Sequence, residues 1–398
     1  MSLLSQRVNN LGESKTLAMA RMTNELKASG VDVTNLTLGE PDFSPFEFFK
    51  ESAKKAIDEN YCRYSPVPGY PELRAAIVKK LKRDNDLSYT SDQIVVSTGA
   101  KQAIANLMLA LLNEGDEVIL PAPYWVTYYE LVQFAQGTPK VIFAGVDQGF
   151  KITAEQLEDA ITDKTKAFLF SNPCNPTGAV YSEDELSELV KVFEKYPQIQ
   201  IISDEIYEHI LYMDKFKSLG SFDSIKDRVT TVNGLSKGFA VTGWRLGYIA
   251  APTEIAKACQ KIQSQFTSGT NVITQRAAID ALLMDPNQIM TERKEIFQKR
   301  RDFICDGLSS IDGVEISIPD GAFYVFPNMS QLFGKKSGET LINDSQDIST
   351  VLLQDFHLGS TPGHAFGAQG YIRLSYAASD NDLKQAVDKI SRFVSSLK

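Results

Sequence analysis

The sequence predicts an α/β protein: a large domain with a mostly parallel seven-stranded sheet between helices, joined to a smaller α+β domain. Three observations lead there. Short apolar runs rich in β-branched residues alternate with longer amphipathic stretches, the pattern of strands linked by crossover helices. At 398 residues the chain is longer than a single core usually supports. After a long charged stretch beginning near residue 289 the alternation gives way to short strand-like runs and a last helix.

Taken in order, the strand-like runs of the large domain are residues 93–97, 117–120, 138–143, 167–170, 199–203, 229–232 and 245–250. Between them, residues 101–112, 182–195 and 253–266 repeat apolar positions at spacings of three and four, which predicts helices. Ser182 and Glu185 have capping-box spacing at one helix start. A charged helix is expected from about 289 to 309, then strands at 314–318, 321–325 and 371–375, and a helix over 380–396. The predicted division is residues 45–285 for the large domain, with 1–44 and 286–398 forming the small one.

Composition excludes several classes of function. Forty-one basic against 50 acidic residues leave a formal charge of −9, with no field that would attract nucleic acid or an anionic membrane. Any anion must therefore be held by local positive groups. Cys62, Cys174, Cys259 and Cys305 are scattered, without CxxC pairs or histidines at ligand spacing, so no metal site is expected and the thiols read as reduced. The first residues lack a signal-peptide layout, and the densest apolar stretch, 107–112, is too short to span a bilayer, so a cytoplasmic address is expected.

In open α/β sheets ligands bind beyond the carboxyl ends of the strands. Four strand ends here carry unusual polar sequences. They are Ser97-Thr98-Gly99-Ala100-Lys101, Asn172-Pro173-Cys174-Asn175-Pro176-Thr177-Gly178, Ser203-Asp204-Glu205-Ile206-Tyr207, and Asn233-Gly234-Leu235-Ser236-Lys237 continuing to Arg245. Each alone reads as a turn, a cap or a solvated lysine. Together, in this order, they resemble the class I and II aminotransferases, particularly the bacterial-type aspartate aminotransferases, along essentially the whole chain. The run Ser236-Lys237-Gly238-Phe239-Ala240-Val241-Thr242-Gly243-Trp244-Arg245-Leu246-Gly247-Tyr248 carries most of that resemblance.

The resemblance implies pyridoxal 5′-phosphate as cofactor and assigns roles that elementary chemistry supports. Lys237 matches the lysine that holds the cofactor aldehyde; its amine must be deprotonated although free lysine titrates at about 10.4, and burial with Arg245 nearby would lower that value. Asp204 matches the carboxylate that keeps the pyridine nitrogen protonated, whereas Glu205 beside it should point to the opposite side. Tyr207 and Asn175 would bond the phenolic oxygen. Gly99, Ala100 and Lys101 open a helix whose free N–H groups suit a phosphate, and Arg245 and Ser236 belong to the same group. Trp125 would stack on the ring.

For the substrate, Arg373 matches the planar reader of the α-carboxylate and Gly39 adds a backbone contact. Lys101, Ser14 and Thr16 occupy the positions that handle a distal carboxylate, which implies aspartate or glutamate as amino donor and a 2-oxo acid such as 2-oxoglutarate as acceptor. Glu13 and Lys15 depart from the family's Pro and Ala there, leaving aromatic or broad specificity as the alternative. Tyr64 resembles a residue that reaches the neighbouring subunit's cofactor, which implies a homodimer with shared sites.

Other readings fare less well. A β-lyase could use the same lysine and aspartate, but Lys101, Ser14 and Thr16 argue for transfer. A cofactor-sensing transcription regulator needs a DNA-binding domain, for which about thirty residues before the first strand-like pattern give no room. A nicotinamide dehydrogenase needs GxGxxG after a strand, and the sequence has none.

Overall fold

The computed structural model describes residues 3–12 and 15–398, except for the side chains of 15–17. Its centre is the expected seven-stranded sheet. In chain order the strands are β1 (Ile94–Ser97), β2 (Glu117–Ala122), β3 (Thr138–Phe143), β4 (Thr165–Ser171), β5 (Gln200–Asp204), β6 (Val229–Gly234) and β7 (Gly247–Ala250). They lie in the order β1-β7-β6-β5-β4-β2-β3. All neighbours are parallel except at β7, which runs antiparallel to both β1 and β6.

Alternation along each strand sends side chains to both faces of the sheet. Val95, Val118, Leu120, Leu169, Ile202, Val232 and Ile249 pack with Ile104, Leu107 and Met108 of the helix Ala100–Leu111 and with Cys259 of Thr253–Phe266. Ile119, Phe168, Phe170, Ile201 and Val229 pack on the other face with Leu186, Leu189 and Phe193 of Glu183–Lys195. Covering both faces is why these strands read as continuous apolar runs. At the start of Glu183–Lys195 the capping box is formed: Ser182 N–H donates to Glu185 Oε2 at 2.7 Å, and Glu185 N–H donates to Ser182 Oγ at 3.2 Å.

The second body is built on β8 (Tyr324–Val325), β9 (Thr361–Pro362) and β10 (Ile372–Ser375), antiparallel in the order β9-β10-β8. Its core joins Phe297, Ile304 and Leu308 to Leu352, Ile372, Leu374, Ile390 and Phe393. The helix Pro286–Ser309 links the two: Met290, near its start, belongs to a core of the large sheet, and Phe297 onward to the second core.

Two expectations for the C-terminal part fail. Residues 314–318 form no strand; Glu315 makes an isolated bridge to Asn328, and Ile318 is 61% exposed, so alternation there had no sheet to serve. The run 321–325 shrinks to β8 because Ala322 takes a left-handed φ of 56°. At β7 the run begins at Gly247, since Arg245 is itself left-handed with φ 57°. Among the described residues no helix is long and apolar enough to cross a membrane.

Candidate active site

The carboxyl ends of β4, β5 and β6, the start of the helix Ala100–Leu111 and β10 of the second body converge on a cavity of about 340 Å³. Asp204 ends β5 beside Ser171 of β4 and Val232 of β6. Its buried carboxylate accepts from Tyr128 Oη at 2.6 Å and from the Ile206 N–H at 3.2 Å. Burial pushes its pKa up to about 6, against the opposing pull of those hydrogen bonds and of Lys237. Glu205 does not line the cavity. It accepts from Ser203 and Ser218 at 3.0 and 2.6 Å, and burial raises it to about 8.

Lys237 lies three residues beyond β6, and its Nζ donates to the Gly39 carbonyl at 2.6 Å. Burial lowers this amine to about 8; Glu40 opposes the shift, while Arg373 and Arg245 add to it. Tyr207 presents its ring 5.8 Å from that nitrogen, and its hydroxyl is 2.8 Å from the Tyr324 hydroxyl. Burial holds the Tyr207 phenol well above its ordinary pKa.

One end of the cavity is built for an anion. Gly99 precedes the helix with φ +82°, and a Cβ there would lie 2.5 Å from Arg245 Nη2. A Cβ on Gly247 would lie 2.2 Å from the Ala100 nitrogen, so β7 and the helix start touch through backbone. Arg245 Nη1 donates to Thr242 O at 2.8 Å, which aims the guanidinium at this cradle. Lys101 Nζ sits 5.0 Å over the Trp125 ring, and burial with Arg245 nearby lowers its pKa.

At the other end Arg373 is 2% exposed. Its Nη1 donates to Asn175 Oδ1 at 3.0 Å and its Nη2 to Thr37 O at 2.6 Å, while Nε has no protein partner. The faces of Tyr324 and Phe366 flank it at 4.7 and 5.1 Å.

The cavity lining thus brings together Gly39, Ala100, Lys101, Trp125, Asn175, Asp204, Tyr207, Ser236, Lys237, Arg245 and Arg373, with Gly99 against Arg245 behind it. Tyr64 is outside the lining and 97% exposed. Ser14 and the side chain of Thr16 lie outside what the structure describes. The sequence reading missed Tyr128, Tyr324 and the Thr37 carbonyl. Tyr128 had a usable signal, standing three residues after Trp125 where a helix begins. Among the described residues no cluster of acidic, histidine or cysteine side chains could hold a metal ion.

A buried lysine amine, a buried acid and two guanidinium groups surround one cavity of an α/β sheet, and the family to which the chain belongs defines its class as a transaminase. Residues 31–390 match the aminotransferase class I and II family, and the chain belongs to it. A probable aspartate/prephenate aminotransferase of Rickettsia felis is 44% identical, over 100% of this chain and 98% of its own length. The crystal structure of the aspartate aminotransferase from Rhizobium meliloti superposes with TM-score 0.96 at 39% identity, covering 100% of both chains. That of the Thermus thermophilus aspartate aminotransferase with maleate superposes with TM-score 0.93 at 38% identity, covering 99% of this chain and 100% of the other.

Proposed function

We propose that this transaminase uses pyridoxal 5′-phosphate and moves the amino group of a dicarboxylic amino acid, aspartate or glutamate, to a 2-oxo acid such as 2-oxoglutarate. The donor set fits the cofactor. The glycine-fronted helix start with Arg245 suits a dianionic phosphate, the depressed amine of Lys237 suits an aldehyde, and buried Asp204 suits a protonated ring nitrogen. Trp125 and Tyr207 supply ring faces or a phenol between these points. When bound, the cofactor supplies the electron sink that lets the substrate's α-proton leave.

The protein's own contribution follows from the geometry. Arg373, which lines the cavity, fixes the α-carboxylate with the guanidinium N–H groups that Asn175 and Thr37 do not occupy. Lys237, neutral above about pH 8 in the cofactor-free chain, is the base within reach of the α-carbon so oriented. Tyr128 keeps Asp204 on its side of the cavity. The second body contributes Tyr324 and Arg373 to the cavity wall.

We take residues 45–285 as the cofactor-binding domain and 1–44 with 286–398 as the part carrying the carboxylate reader. The site is inferred to be completed by Tyr64 of a second copy in a homodimer. The four free thiols accord with a cytoplasmic enzyme.

The observation that carries the dicarboxylic reading is a further cation: Lys101 lines the cavity in addition to Arg245 and Arg373. The test is kcat/KM for aspartate, glutamate, tyrosine, alanine and glutamine against 2-oxoglutarate. Prephenate, which the Rickettsia felis relative's name adds, is included as an acceptor. Aspartate and glutamate should exceed alanine by at least tenfold, and Lys101→Met should erase most of that margin, about the value of one charge-assisted contact. Alanine or glutamine matching aspartate would remove the dicarboxylic assignment, and ammonia in place of an oxo acid would indicate elimination.

A further inference from the structure

The segment that roofs Lys237 is bound along one face of the helix Pro286–Ser309. Arg293, Phe297 and Arg300 are spaced by four and three residues and so share a face. The segment runs past them in the opposite direction. Arg300 Nη1 donates to Asp42 at 2.8 Å, the Phe43 and Phe297 rings meet edge to face at 5.1 Å, and Arg293 Nη2 donates to Ser44 O at 2.6 Å. The Arg293 guanidinium also lies 3.4 Å over the Phe46 ring, and its Nη1 reaches Gly238 O, the carbonyl next to Lys237, at 3.5 Å.

At its other end the same segment does chemistry. Thr37 O holds Arg373, Gly39 O accepts from Lys237, and Glu40 lines the cavity. This guanidinium has no carboxylate in its hydrogen-bond set; it gains a cation–π contact with Phe46, and the rest of its packing an apolar residue of similar size could supply. What an apolar residue cannot do is join two carbonyls from separate segments. Arg293 joins Ser44 and Gly238 and so closes a loop from Lys237 through Gly39 and the segment back to the residue after Lys237.

We propose that Arg293 is a positioning residue for the reaction: it ties the Gly39–Phe46 segment to the backbone that carries Lys237, so that the Gly39 carbonyl stands ready for the lysine amine. The inference rests on the assignment of Lys237 as the reacting lysine. Arg293 is not part of the active-site lining, so its loss should misplace the amine without removing a binding group.

The test compares Arg293→Met, Arg293→Lys and Lys237→Ala in the full-length enzyme. Backbone hydrogen exchange over residues 37–46 should speed up on the order of tenfold in Arg293→Met, with kcat falling on the order of tenfold and KM for aspartate changing less than about threefold. Arg293→Lys keeps the charge but cannot span both carbonyls, and should recover only part of each effect. It also serves if Arg293→Met does not fold. Wild-type exchange and kcat in Arg293→Lys and any folded Arg293→Met, with Lys237→Ala inactive, would overturn the proposal alone. An active Lys237→Ala would overturn the assignment beneath it.

Discussion

Lys237 shows how a single residue acquires its chemistry. An ammonium taken out of water loses its solvation, so burial favours the neutral amine and brings its pKa down to about 8. The sign has two consequences for the cofactor-free chain. With its folded pKa below the unfolded value, this group's contribution to stability is complete only above about 10.4 and is lost as pH falls through about 8. The reactive fraction rises tenfold per pH unit up to about 8 and then levels. Labelling with an acylating reagent, read site by site by mass spectrometry, should show Lys237 reaching its plateau near pH 8 while exposed lysines go on gaining reactivity toward about 10.4. A Lys237 profile that climbs with the exposed ones would mean that burial does not tune it. Lys237, Asp204, Asn175 and Arg245 stood out in the sequence because the polar motifs at four strand ends, each bland alone, together resemble one family. The Thr37 and Gly39 carbonyls were not, since every residue has a carbonyl and only the fold says where it points.

Between elements, the site depends on a buried polar knot beneath the turn that follows Asp204. Glu208 accepts from Asn85 at 2.7 Å, from Asn233 at 2.8 Å and from Lys80 in a close ion pair, and all four residues are buried. The knot pins the helix Pro71–Asn85 and the end of β6 to the turn that carries Tyr207, thereby fixing the Asp204 turn against the backbone leading to Lys237. Despite its burial, Glu208 is held down at about 2, with Lys80 the largest stabilising influence on its charge. Lys80→Met should leave that charge unpaired and cost about 3–5 kcal/mol in chemical denaturation, much more than Lys80→Met combined with Glu208→Gln. Equal losses in the two variants would mean that the pair does not act as a unit. Neither Lys80 nor Glu208 stood out in the sequence, because a lysine and a glutamate 128 positions apart look like surface charges until the sheet brings them together. The same limit explains the false strand at 314–318. Alternating Val314, Ile316 and Ile318 carry the period of a strand, but period alone does not supply a neighbour to pair with.

At the scale of the whole molecule, the seven-stranded sheet was readable because both faces of its inner strands are buried, which makes those strands conspicuous apolar runs. An arrangement between two copies leaves a fainter trace in one chain, namely side chains that have no reason to be exposed. Tyr64 is such a residue, 97% exposed although its neighbours are secured: Arg276 stacks on Tyr61 at 4.6 Å and Gln275 donates to Ser65 Oγ at 2.9 Å. If Tyr64 completes the partner's site, the enzyme should sediment at twice its 44.1 kDa chain mass. The stronger test is complementation. Lys237→Ala lacks the amine but keeps the tyrosine, and Tyr64→Ala keeps the amine but loses a donor to the phosphate, so its homodimer should need about tenfold more cofactor for half activity. In a mixed dimer the Tyr64→Ala chain would receive the tyrosine of its partner, giving one intact site and one doubly defective site. Co-expression should therefore restore activity at a cofactor concentration where both homodimers are nearly silent. If Tyr64 instead serves its own chain, no pairing of the two variants contains an intact site, and mixing restores nothing.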